Sequence, residues 1–89
     1  MVTAIVLLTV TKNLINEIAE EIAEVKRVSE VYSITGPHDL VAIVRAPDSE
    51  TLADVITTEI LKIDGITKSE TMFAFKVFSR HDLEGMFSH

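Results

Sequence analysis

The chain contains no Cys and no Trp, only 3 Gly and 2 Pro, and its 8 Lys+Arg are outnumbered by 14 Asp+Glu. Without Cys there is no disulfide, no thiolate metal site, no Fe–S cluster and no Cys nucleophile. A formal charge of −6 argues against nucleic acid as a direct partner, because neutralising phosphates needs clustered Lys and Arg. No apolar run approaches the roughly 20 residues of a membrane-spanning helix. The N-terminus lacks the basic stretch that opens a secretory signal, so the expected setting is cytoplasmic, with no membrane partner. Gly and Pro are too few to mark an internal linker. At 89 residues the chain supports a single core, hiding roughly 60–65% of the surface exposed on unfolding.

What is present is mostly apolar. Residues of the AVILMFWYC set make up 47% of the chain and charged residues only 25%, which excludes disorder. It also raises the question of where so small a protein hides so much apolar surface. Residues 2–10 (VTAIVLLTV) are β-branched and aliphatic, the composition of a strand. Thr11 or Asn13 can cap a helix that runs to about Val25. Its stripe is Leu14, Ile15, Ile18, Ile22 and Val25, with Glu17, Glu20, Glu21 and Glu24 on the wet side. Residues 28–35 read as a second strand and residues 39–46 as a third, joined as a hairpin across Gly36, Pro37 and His38. Asp48 or Ser49 caps a second helix with a stripe of Leu52, Val55, Ile56, Ile60 and Ile63, which Gly65 ends. A fourth strand is expected over residues 66–78, and residues 79–89 carry little pattern.

The order is therefore β-α-β-β-α-β, and a shift of 38 positions lays its two halves on each other. Ala4, Ile5 and Val6 fall on Ala42, Ile43 and Val44; Leu14, Ile18 and Ile22 fall on Leu52, Ile56 and Ile60. Two βαβ units of one register predict an α+β fold of ferredoxin-like type. It is a four-stranded antiparallel plait with two helices on one face. A sheet with a wet second face should alternate apolar and polar residues. Strand one does not: Ala4, Val6, Leu8 and Val10 point one way, Ile5 and Leu7 the other. Strand three is similar, and strand four sets Met72, Ala74 and Phe78 against Phe73, Phe75 and Val77. An apolar second face marks an interface, so the expected assembly is a dimer packed sheet to sheet and built further into a ring.

Catalytic chemistry is hard to find. His38, His81 and His89 are the only histidines, none at a metal-ligand spacing, and no serine has a base nearby in the pattern of nucleophilic catalysis. The expectation is no enzyme, no metal and no cofactor. The segment that stands apart is Gly36-Pro37-His38-Asp39, because Asp39 opens an apolar strand. Two roles are open. Asp39 can accept local backbone N–H bonds at the turn, or it can pair with a ligand's ammonium group where Gly36 lets the backbone approach. On strand four, Thr67, Ser69 and Thr71 form a second polar set.

The stretch V-S-E-V-Y-S-I-T-G-P-H-D-L (residues 28–40), the two helical stripes, and Gly65-Ile66-x-x-Ser69-x-Thr71 resemble the effector-binding domain of the Lrp/AsnC transcription regulators. This RAM (regulation of amino acid metabolism) domain would occupy residues 1–78, with residues 79–89 as a C-terminal tail. The chain looks like a stand-alone version lacking the helix-turn-helix. The resemblance implies binding of an amino acid or similar small effector between dimers, and assembly of the homodimer into an octamer or decamer. It implies ligand contacts from Gly36, Pro37, His38 and Asp39, with Ser69 and Thr71 as further contacts, and Asp39 facing an α-ammonium. The alternatives are a ligand-independent assembly partner for full-length Lrp/AsnC regulators, or an ACT-like amino-acid-binding regulatory domain.

Overall fold

The computed structural model describes residues 1–78 and Arg80; His81, His89 and all of the expected tail except Arg80 lie outside the described residues. Strand β1 (Val2–Val10) leads through a 3-10 turn (Lys12–Leu14) into α1 (Ile15–Ala23), then β2 (Val28–Ser33) and β3 (Leu40–Ala46). Helix α2 (Ser49–Val55) continues as a π-helical stretch (Ile56–Ile60) before β4 (Ile66–Ala74). The sheet order is β2-β3-β1-β4, every neighbouring pair antiparallel. This is the ferredoxin-like plait expected from the pattern.

Alternation along the central strands sets the two layers. Ala4, Val6, Leu8 and Val10 of β1 and Leu40, Ala42, Val44 and Ala46 of β3 are buried, and Ile18, Ile22, Leu52, Val55, Ile56, Ile60 and Ile63 close over them. Burying a side chain of this size is worth about 1.5–3 kcal/mol, so this layer dominates stability. All five residues of the expected second stripe are in it. The π-helical stretch keeps them there: Leu61 N–H donates to Ile56 O at 2.9 Å. Thr57 Oγ1 and Thr58 Oγ1 donate to the carbonyls of Ala53 and Asp54, a type of back-bonding that perturbs the regular ladder.

Three expectations need correction. Neither Thr11 nor Asn13 caps the first helix. The Thr11 hydroxyl instead donates to Gly65 O (3.3 Å), and no side chain caps the 3-10 turn or α1. The first helix stops at Ala23 and the hairpin strands are Val28–Ser33 and Leu40–Ala46, each a residue or two shorter than the pattern suggested. The fourth strand ends at Ala74, not at residue 78. Its ladder runs antiparallel along β1, and its last pair is Ala74 with Thr3.

Among the described residues, no helix element covers the opposite face of the sheet. Ile5 and Leu7 of β1 with Val41 and Ile43 of β3 form its centre, half-buried within one chain. Tyr32 and Glu30 flank them on β2, Arg45 lies at the end of β3, and Lys68, Glu70 and Met72 line β4. The second apolar face expected from β1 and β3 is present.

Candidate functional site

The β2–β3 hairpin loop folds against the end of β1. Gly36 takes φ +111°, a left-handed value that suits glycine, and no atom lies within 4 Å of where a Cβ would stand. The backbone can therefore be approached from outside. Ile34 N–H donates to Asp39 O at 2.9 Å, extending the hairpin, and Asp39 N–H donates to Leu8 O at 2.8 Å. Asp39 thus continues the β3–β1 ladder one step past the pairing of Leu8 with Leu40. Its side chain makes the following bond: Val10 N–H donates to Oδ2 at 3.0 Å. One carboxylate oxygen takes the place of a strand carbonyl, for an amide that a bend would otherwise leave unpaired.

The other oxygen faces a cation. Oδ1 lies 3.8 Å from Lys12 Nζ, with the lysine side chain 88% exposed and that of Asp39 15% exposed. Lys12 is tethered only by its own flexible stem, so this is a surface-edge contact of small energetic worth. Of the two roles open for Asp39, the backbone-accepting one is filled, although its partner lies 29 positions away rather than within the turn.

His38 is held just as firmly. Its Nδ1 is 3.0 Å from Thr9 Oγ1, and Nε2 is 3.4 Å from a carboxylate oxygen of Glu70. The Thr9 hydroxyl also lies 3.3 Å from Pro37 O, and Thr67 Oγ1 donates to Thr9 O at 3.1 Å. Thr9 is therefore the hub of this corner, joining the loop, β1 and β4. Thr9 and Glu70 were not among the residues singled out from the sequence. The available signal was Thr9 itself, a hydroxyl near the end of an otherwise aliphatic strand. Elsewhere on the open face, the Tyr32 hydroxyl donates to Glu30 at 2.6 Å, and that carboxylate acceptor raises the phenol pKa above its ordinary value.

Ser69 and Thr71 do not meet the loop within one chain. They pair with Leu8 and Val6, so they lie on the helix side of β4, whereas Glu70, and with it the His38 ring, belong to the open side. Both are exposed, because the helices cover β2, β3 and β1 and leave this edge strand uncovered. The sequence-selected residues therefore fall into two sets on opposite faces of one edge: Gly36, Pro37, His38 and Asp39 in the loop, Ser69 and Thr71 on the strand. Among the described residues, no three His, Asp or Glu side chains converge as metal ligands, and no helix is long and apolar enough to cross a membrane.

A plait with this loop has a counterpart among known families: the model of the Lrp/AsnC ligand binding domain matches residues 3–83. The chain belongs to the Lrp/AsnC ligand-binding domain family. Among curated proteins, the transcriptional regulator LrpA of Pyrococcus abyssi is 46% identical over 52 residues, 58% of this chain but only 37% of LrpA. LrpA1 of Halobacterium salinarum is 42% identical over 57 residues, 64% of this chain and 40% of its own length. The chain thus matches well under half of these Lrp/AsnC relatives. Among solved structures, TTHA0845 from Thermus thermophilus superposes with a TM-score of 0.83 at 48% identity, covering 90% of this chain and 100% of that one. AsnC of E. coli, at 19% identity and TM-score 0.80, shares the fold over 85% of this chain and 52% of its own.

Proposed function

We propose that the chain is a non-catalytic domain that binds an amino acid or a closely similar small effector, and that it does so as an oligomer. The observation that carries the reading is the division of labour at Asp39. One oxygen is committed to Val10 N–H, and the other is turned outward with an ammonium 3.8 Å away. An effector's α-ammonium would displace the exposed Lys12 ammonium and form a charge-assisted bond with a carboxylate that is already positioned. Beside it, Gly36 and the exposed Pro37 offer backbone that a ligand can approach. Family membership supports this reading, as does a transcriptional regulator of Neisseria meningitidis with the same fold, solved as a complex with L-Met at 15% identity.

Because Ser69 and Thr71 lie on the other face of the edge, they would reach an effector only from a neighbouring copy. The site in this reading is shared between dimers of an octamer or decamer. Each dimer forms through the open sheet faces, where Ile5, Leu7, Val41 and Ile43 provide the apolar centre. The domain would act by modulating Lrp/AsnC regulators or other partners in the cytoplasm, rather than by touching nucleic acid itself.

Thermal unfolding against the twenty amino acids, each at millimolar concentration, tests the proposal. A ligand at 100 times its dissociation constant stabilises the folded form by about 2.7 kcal/mol, a shift that is easily seen. One or two clear hits, lost in Asp39→Asn, are the expected result. No shift from any amino acid would remove the sensing role and favour the ligand-independent assembly partner.

A further inference from the structure

Over residues 75–78 the chain runs on without a strand partner. Residues 75–78 form an arm on which Phe75 is 104% exposed, Val77 67% and Phe78 74%. The arm and the start of β1 enclose a cleft of about 560 Å3, with Thr3, Ile5 and Ala74 among its walls. Three large apolar side chains on one short segment, beside an apolar cleft, exceed the scattered exposure normal on a protein surface.

The surroundings indicate what covers them. Thr3, Ile5 and Ala74 belong to the open face, because they share the side of the sheet that carries Leu7, Val41 and Ile43. The cleft is therefore one corner of that face. Charge is the second indication. Arg45 and Lys68 offset Glu30 and Glu70 around the apolar centre, so the face is close to neutral in a chain of net charge −6. The exposed Glu17, Glu20, Glu21 and Glu24 of α1 sit on the far side of the molecule, so a second acidic copy meets little repulsion on this approach. Reciprocity is the third. Arm and cleft belong to one chain, so a twofold-related copy supplies an arm to each cleft and receives one in return.

We propose that residues 75–78 are an exchanged arm: Phe75 and Phe78 of one protomer enter the cleft beside Thr3 and Ile5 of its partner, locking the two sheets face to face. This rests on the sheet-to-sheet dimer proposed above and adds its anchor. Aromatic side chains seated in pockets are the usual energetic centres of interfaces, whereas Ile5, Leu7, Val41 and Ile43 alone present a flat surface.

The absence of Cys makes the arm directly mappable. Thr3→Cys and Phe75→Cys are prepared as separate full-length chains, mixed and oxidised. A covalent dimer that forms only in the mixture and disappears on reduction is the expected product. In sedimentation, Phe75→Ser combined with Phe78→Ser should raise the dimer dissociation constant roughly 100-fold or more. Both side chains are exposed within one chain, so the double variant should still fold. If the wild type and the single-cysteine chains sediment as dimers but no mixed disulfide forms, the arm is overturned while the sheet dimer stands. An unchanged dissociation constant in the double serine variant has the same meaning. A monomeric wild type overturns both.

Discussion

Under the 38-residue shift, Arg27 of the first half falls on Gly65 of the second. Both stand between a helix and the strand that follows, and both have positive φ, 82° and 100° respectively. Each also offers its carbonyl to a backbone N–H across the sheet: Arg45 of β3 donates to Arg27 O at 2.9 Å, and Thr11, just past β1, to Gly65 O at 2.8 Å. The return from helix to edge strand therefore imposes one backbone shape twice. What differs is the space around it. A Cβ on Gly65 would stand 2.6 Å from Cδ1 of Ile18, which is itself buried in the core, whereas position 27 carries a whole arginine side chain. Topology dictates the left-handed turn, and packing decides whether it must be glycine.

Exchanging the two solutions sharpens that distinction and should give the largest effect. Gly65→Ala adds the left-handed penalty of about 1–2 kcal/mol to an overpacking cost of about 1–3 kcal/mol, so a loss of about 2–5 kcal/mol is expected in urea unfolding. Arg27→Gly removes a left-handed strain without opening a cavity and should gain from a few tenths to about 1 kcal/mol. A destabilised Arg27→Gly would mean that the arginine side chain, not the backbone, secures the first turn.

The same contrast shows what the sequence could reveal. Elements with a local period were legible: the aliphatic strands β1 and β3, the stripe from Leu52 to Ile63, the Asp48 cap, and the repeat that set the topology. An apolar second face could be read because strand alternation assigns each residue a side. Illegible features all depended on a partner remote in the chain. Strand β4 leaves its ladder with β1 at Ala74, opposite Thr3, although the apolar-rich run continues to Phe78. The Thr11 hydroxyl leaves its helix for a carbonyl 54 positions away. The loop was recognisable, but its ties to Thr9, Val10 and Glu70 were not. Ser69 and Thr71 were named through the family resemblance, and only the ladder with Leu8 and Val6 shows that they face away from the His38 ring.

At Asp39 the comparison is between the two oxygens of one side chain, and two substitutions separate them. Asp39→Ala leaves the part-buried Val10 N–H without its acceptor, which should cost about 1–3 kcal/mol. Asp39→Asn keeps an oxygen for that bond and should recover most of the loss, yet it removes the charge that would hold an ammonium. Stability restored with binding still absent is the signature of the divided role. Were Asp39→Asn to bind an amino acid as well as the wild type does, the outward oxygen would have no part in recognition.

The smallest expected effect concerns the two helix starts, one capped and one not. Asp48 Oδ1 accepts from Thr51 N–H at 2.7 Å, and that bond holds the carboxyl below its ordinary pKa. A carboxyl with a lower pKa folded than unfolded contributes stability above the unfolded value, near 3.9, and loses it as pH falls through the folded one. Asp48→Ala should therefore be less stable than the wild type at pH 7, and the gap should narrow on acidification below about pH 4. Thr11→Val removes a hydroxyl that donates to Gly65 O instead of capping, and nothing in that bond titrates. Its deficit should be the same at pH 7 and pH 3. Urea midpoints of the three proteins at the two pH values decide the matter: a gap for Asp48→Ala that persists undiminished in acid would show that the charge of Asp48 adds nothing to its cap, and that the two helix starts differ only in geometry.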